Sequence, residues 1–169
     1  QADAYASGQA QQDNRENVFA GYVQGEADFG ALHLLAGLRA EFTDARYQGN
    51  TGVPITSSAA AGGTITNGKG SILVPTSSTS RYTNLFPSLQ ARYEFSPSLI
   101  ARAVYSSTIA RPGFNQVNPS ATIDAANNIV TTGNPNLKPI TANSFDLSVE
   151  HYLPFGGIVS AGVFDKELS

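Results

Sequence analysis

The sequence predicts an all-β fold, an antiparallel up-and-down sheet of about six long strands forming a segment of a transmembrane β-barrel. Three observations carry that expectation. Apolar and polar residues alternate with a period of two over stretches of about ten residues, the length at which a tilted strand crosses a bilayer. The charges Glu26, Asp28, Arg39, Glu41, Arg92, Glu94, Arg102, Asp146 and Glu150 all fall on the polar parity of their stretches. The connections run short, long, short, long, short, as in a barrel with tight turns at one end and long loops at the other.

The clearest element is Ser144 to Leu153. Phe145, Leu147, Val149, His151 and Leu153 share one parity, and Ser144, Asp146, Ser148, Glu150 and Tyr152 share the other. Pro154-Phe155-Gly156-Gly157 supplies turn chemistry, and Ile158 to Leu168 leads back as a second β-rich run.

Taken from the start, Gln1 to Arg15 is polar, with no period, and is expected to enter the first strand from a loop. From Asn17, the residues Phe19, Gly21, Val23, Gly25, Ala27 and Phe29 oppose Gln24, Glu26 and Asp28, and Gly30 turns the chain. Leu32, Leu34, Ala36, Leu38, Ala40 and Phe42 then form an apolar parity against His33, Arg39 and Glu41. Asp44 to about Ser80 loses the alternation and is rich in Gly, Ser, Thr and Ala, so it is expected to be a long patternless connection. Leu85, Pro87, Leu89, Ala91, Tyr93 and Phe95 resume the pattern, Ser96-Pro97-Ser98 turns it, and Leu99, Ala101, Ala103, Tyr105, Ser107 and Ile109 return. Arg111 to Thr141 is the second long connection, with a small hairpin expected over Thr122 to Thr131 around Asn127-Asn128.

Composition narrows the function classes. The 169 residues are 41% hydrophobic, and no apolar run approaches the roughly eighteen residues of a membrane-spanning helix, which leaves barrel strands untouched because alternation hides their hydrophobicity. A net charge of −3, with ten Lys plus Arg scattered along the chain, offers no basic stripe for nucleic acid. There is no Cys, so disulfides and Cys-ligated metal are excluded. The chain starts at Gln1, has no Met, and shows no signal-peptide pattern; it is expected to be a piece of a longer protein.

Alternation also arises in a soluble β-sandwich with one wet face. Strand length and loop asymmetry favour the barrel. So does the placing of aromatics near strand ends, with Phe19, Phe42 and Phe145 toward the long loops and Phe29, Tyr93 and Phe95 toward the short turns.

Three segments, Glu16 to Thr43, Asn84 to Pro119 and Thr132 to Ser169, resemble TonB-dependent outer-membrane receptors over the later part of their barrel. The motifs are FPSL, YSxTIARPxF, GNPNLKP, the DLSVE strand and the GGxxSAGVFxK strand, in that order. The departures lie in the loops, Asp44 to Ser80 above all, and at Asp165, where an aromatic is more usual. The resemblance implies residues 1–169 of a large, plugged transmembrane β-barrel, without the plug domain or the C-terminal strand, and with external loops at about 44–80 and 111–141. It implies a Gram-negative outer-membrane location and TonB-energised uptake of a scarce nutrient: siderophore-iron, cobalamin or oligosaccharide. The implied partners are outer-membrane lipid, the plug domain, the TonB complex and a small nutrient ligand, with no nucleic acid and no cofactor. A passive porin-like or adhesive barrel, or a soluble β-sandwich glycan-binding module, stays open beside it.

No catalytic or metal constellation is expected. His33 lies on the polar parity and His151 on the apolar one, in different hairpins, and no reading of the chain as an enzyme follows. Arg39, Glu41, Arg92 and Arg102 on the polar face, and Arg111, Asn134, Asn136 and Lys138 around the second loop, are the candidate ligand-binding residues. Each has a structural alternative: the face charges neutralise one another across strands, and the Pro-rich flanks brace the loop. Leu32, Leu34, Leu38, Phe42, Leu89, Tyr93, Phe145, Leu147 and Val149 are expected to face lipid.

Overall fold

Residues 8, 10–55, 64–66, 69–124 and 126–169 are described by the computed structural model. The elements are β1 (Gln12–Phe29), β2 (Leu32–Ile55), β3 (Thr64–Thr66), β4 (Lys69–Ser96), β5 (Leu99–Ala110), a helical turn α1 (Phe114–Val117), β6 (Ala121–Asp124), β7 (Ile129–Thr132), β8 (Ile140–Tyr152) and β9 (Ile158–Leu168). The strands form one sheet in the order β7-β6-β2-β4-β5-β8-β9, with β1 also on β2 and β3 on β4. The six long strands are therefore neighbours in chain order, an up-and-down meander.

Short turns set this order. Gly30 takes φ +64° at the first central position between β1 and β2, where a type II′ hairpin turn favours glycine. Between β4 and β5 the Ser98 amide donates to Ser96 Oγ at 3.3 Å. Between β8 and β9 the Leu153 amide donates to the Gly157 carbonyl at 2.8 Å, and Gly156 sits at φ +86°. Such turns fix register, and a one-residue slip would exchange the two faces.

The register is continuous. β5 and β8 pair without a break from Leu99↔His151 to Ala110↔Ile140, and β8 and β9 from Ala142↔Leu168 to Tyr152↔Ile158. β4 and β5 pair from Ser88↔Ser106 to Glu94↔Ile100, and a bulge at Phe95 precedes Ser96↔Leu99. Same-parity residues thus line up in rows across four strands. One face carries Leu89, Tyr105 and Phe145 in one row and Ala91, Ala103, Leu147 and Val163 in the next. The other carries Arg92, Arg102 and Ser148, then Glu94 and Glu150. On the apolar parity Leu38, Phe42, Leu89, Tyr93, Phe145, Leu147 and Val149 are exposed, and Leu32 and Leu34 are half-buried.

Three expectations need correction. Strand β1 begins at Gln12, ahead of Asn17. Among the described residues the sheet also holds one short strand, β3, that was not expected. The stretch from Asp44 to Ser80 is no patternless loop: β2 continues to Ile55 and β4 is under way from Lys69, with β3 on its flank. Ala60 to Gly63, Asn67 and Gly68 lie outside the described residues. Period-two burial persists here without hydrophobic contrast. From Thr76 to Ser88 the even residues are half-buried and the odd ones exposed, though most of the side chains up to Asn84 are Ser, Thr or Asn. Ladder hydrogen bonds and β-tolerant Thr and Tyr extend a strand without an apolar face. The expected small hairpin is present as β6 and β7, paired from Ala121↔Thr132 to Asp124↔Ile129, with Asn128 at φ +55° in its turn.

The chain divides into two compact units. Residues 19–42, 83–111 and 139–169 form one, here the wall; residues 1–18, 43–82 and 112–138 form the other, the accessory unit. The accessory unit holds a small core of Ala45, Tyr47 and Val117, with Thr43 and Asn118 also buried.

Candidate functional site

The polar face of the wall is organised by strand alternation and cross-strand register. At its short-turn end the His33 Nδ1 lies 2.6 Å from Asp28 Oδ1, and its Nε2 lies 3.7 Å from Glu94 Oε1. Glu94 also pairs with Arg92 along the same strand. Arg102 Nη1 meets Glu150 Oε2 at 2.6 Å, and the Tyr152 hydroxyl donates to the same oxygen at 2.9 Å. Arg92 and Arg102 are direct register partners, so two like charges face each other across β4 and β5. Repulsion of that kind destabilises a pair unless each charge has its own counterion, and here each does. These groups surround a recess of about 420 Å³ whose lining includes Glu26, Asp28, His33, Gln90, Arg92 and Arg102. The side chains are between about a quarter and three quarters exposed, so the pairs orient donors and acceptors more than they stabilise the fold.

A second cluster closes the other end of the wall. Glu41 accepts hydrogen bonds from Arg39 Nε at 2.8 Å and from Arg111 Nη2 at 2.5 Å, and its side chain is only 12% exposed. Arg111 directly follows β5, so its guanidinium ties the start of the second connection to β2. Of the two guanidiniums on this carboxylate, that of Arg39 is the more exposed.

Arg102–Glu150 is an ion pair across strands, and the His33 ring reaches across to Glu94, whereas Arg39–Glu41 and Arg92–Glu94 run along a strand. His151 sits on the opposite face, in register with Leu99 and Val159.

Asn134, Asn136 and Lys138 belong to the accessory unit. The Asn134 amide donates to the Gln116 carbonyl at 2.6 Å, and its Oδ1 accepts from the Asn136 amide at 3.0 Å. Both contacts brace the loop, and Lys138 is exposed. The residue that secures this region is one the sequence did not single out. Asn118, 2% exposed, donates from Nδ2 to Asn14 Oδ1 at 2.7 Å and to the Gln48 carbonyl at 3.0 Å, and its Oδ1 accepts from Ser120 N and Oγ. A side chain on Gly133 would collide with the Asn118 carbonyl, which explains the glycine there. Tyr47, packed 6.3 Å from the Phe114 ring, has its hydroxyl pKa raised by burial. Asp124 is held below the usual carboxylate range by the Asn127 side-chain amide and by the backbone amides of Asn127 and Ala126. No local pattern singles out Asn118, because its partners Asn14 and Gln48 are distant in sequence.

Among the described residues no group of three or more His, Cys, Asp or Glu is placed to hold a metal. The wall can bind by charge and hydrogen bonding on one face and by apolar contact on the other.

The comparisons agree with this geometry. No curated protein matches the sequence. The fold is similar to that of the Escherichia coli K12 ferric-catecholate import receptor Fiu (TM-score 0.61, 18% identity, 93% of this chain and 22% of that one). It is also similar to that of a double mutant of the Serratia marcescens hemophore receptor HasR in complex with its hemophore HasA and heme (TM-score 0.60, 17% identity, 90% of this chain and 25% of that one). The chain thus spans about a quarter of the length of these receptors. A family model described as the outer membrane protein beta-barrel family matches residues 3–164. The two-faced meander, its unbroken register and that match lead to one statement: the chain belongs to the outer membrane protein beta-barrel family and forms part of a barrel wall in the outer membrane.

Proposed function

We propose that the chain is a wall segment of a TonB-dependent receptor that imports a scarce nutrient, with iron chelates as the leading substrate class, and that it carries out no catalysis itself. In this reading the apolar parity, Leu147 and Val149 included, faces lipid. The charged parity lines the lumen, and β6, β7 and the 111–138 connection lie on the ligand-entry side. The observation that carries the proposal is the shared register of β4, β5, β8 and β9, unbroken from β5 to β9 and in step with β4 from Ser88 to Glu94. It puts an ion-paired face and an exposed apolar face back to back, as a barrel with a functional interior requires. The motifs from FPSL to GGxxSAGVFxK and the likeness to two receptor folds support a receptor over a simple pore.

The test is growth of cells carrying the full-length protein on a ferric catecholate or on haem as sole iron source, with and without TonB. Uptake that needs both the protein and TonB is the expected result. Uptake that persists without TonB would replace the transporter with a passive pore.

A further inference from the structure

On the parity of β2 assigned to lipid, apolar residues run from Leu32 to Phe42, about the length that crosses hydrocarbon, and Asp44 and Arg46 follow on that same parity. Strand β4 switches in the same way. Read back from Phe95, this parity is apolar as far as Leu85, and Arg81 comes after Thr83. Both strands are interior to the sheet: β2 lies between β1 and β4, and β4 between β2 and β5. The other parity of β2 turns inward at this level, with Thr43, Ala45 and Tyr47 buried, while Arg46 is exposed.

Asp44, Arg46 and Arg81 all belong to the accessory unit. Arg81 donates from Nε to Asp44 Oδ2 at 2.7 Å, and the Thr76 hydroxyl donates to the Gly49 carbonyl at 3.1 Å. Both contacts fit one antiparallel register, in which Arg81 stands opposite Asp44 and Arg46 is its diagonal neighbour. Diagonal neighbours lie about 7–8 Å apart, within reach for two long side chains. Arg81 is 71% exposed despite its contact with Asp44, and Arg46 has no side-chain hydrogen bond or ion pair among the described residues. On β1, Asp13 and Arg15 share this parity and offset each other. Two guanidiniums thus stand open just past the apolar span, where long basic side chains meet headgroups.

We propose that Arg46 and Arg81 hold the phosphomonoester headgroup of a lipid, in the leaflet on the long-loop side. A guanidinium fork takes phosphate oxygens two at a time. A phosphomonoester offers three acceptor oxygens and more than one negative charge, enough for both forks. A phosphodiester has fewer free oxygens and a single charge, and a zwitterionic headgroup adds an ammonium that the arginines repel. Asp44 occupies Nε of Arg81 and leaves the donors at the end of that fork for the phosphate. The inference rests on the lipid-facing assignment above, which the Leu147→Arg test in the Discussion examines separately.

The experiment is native mass spectrometry of the full-length protein, mixed in detergent with phosphatidic acid, phosphatidylglycerol and phosphatidylethanolamine of identical chains. Retention of phosphatidic acid about tenfold above the ethanolamine lipid is expected, with phosphatidylglycerol between them, since charge-assisted contacts separate the three. The double variant Arg46→Gln/Arg81→Gln should retain all three alike, and Arg46→Lys, which keeps the charge and loses the fork, should keep part of the preference. Soluble glycerol 3-phosphate in tenfold excess should leave the lipid in place. Equal retention by the unaltered protein, which needs no variant to fold, overturns the proposal, and so does a preference that survives in the double variant. Displacement by glycerol 3-phosphate would replace the lipid with a soluble phosphate ester.

Discussion

The wall and the accessory unit are stabilised by different means, although β1, β2 and β4 supply residues to both. In the wall, Ile100 and Ala142 are buried, while Leu147, Val163 and Phe145 remain exposed on the sheet. Its cohesion comes from the hydrogen-bond ladder, which satisfies every paired backbone group internally. In the accessory unit Tyr47, Val117 and Asn118 are almost fully buried, and polar side chains bond the α1 region to β1 and β2. That is how a small core accommodates a buried amide, by giving it several partners.

The difference is sharpest for charge placed on the apolar parity. Leu147→Arg in the full-length protein should cost about 2–4 kcal/mol in a bilayer, whereas Ser148→Arg, one residue along on the polar face, should be far milder. Unfolding in lipid vesicles measures both, and equal damage would mean that the faces are wrongly assigned.

In the accessory unit the vulnerable point is polar. Asn118→Ala strips Asn14, Gln48 and Ser120 of a buried partner and should cost about 2–3 kcal/mol locally. Protease susceptibility of residues 111–138 should rise with it. Asn134→Ala, at an exposed turn, should change it little.

The Glu41 cluster stands between these cases. Glu41→Gln removes the carboxylate charge that Arg39 and Arg111 share and should cost about 1–2 kcal/mol, discounted for the exposure of Arg39. Hydrogen exchange around Arg111 would report it.

The smallest effect is a pH dependence. Asp124 has a lowered pKa in the folded hairpin, so its contribution is complete above the usual carboxylate range and is lost as pH falls through the lower folded value. Protection of the Ala126 and Asn127 amides, corrected for intrinsic exchange rates, should drop there. Asp124→Asn should abolish the dependence.

How much of this was legible in the sequence follows the same division. Phe145, Leu147 and Val149 alternate with Asp146, Ser148 and Glu150, an apolar face against a polar one, and so β8 could be read directly. Between Thr76 and Asn84 both faces tolerate Ser, Thr and Asn, so the strand left no hydrophobic contrast to find. Thr43, Ala45 and Tyr47 did continue the odd parity of β2, a weak signal that the glycines and prolines after them obscured. The charges of the site were identified as side chains, but their pairing depends on register, and Arg92 opposite Arg102 cannot be deduced without it. The role of Asn118 depends on Asn14, far away in sequence, and no local pattern announces it.

The two-faced wall is tested most directly by accessibility along β8. The chain contains no Cys, so single cysteines placed in turn from Ser144 to Tyr152 in the full-length protein can carry a label without background. In a bilayer, labels at Phe145, Leu147, Val149 and His151 should respond to a lipid-soluble quencher, and those at Ser144, Asp146, Ser148 and Glu150 to a water-soluble one, with a period of two. A response that ignores parity, or that places Leu147 and Ser148 in the same environment, would contradict the account.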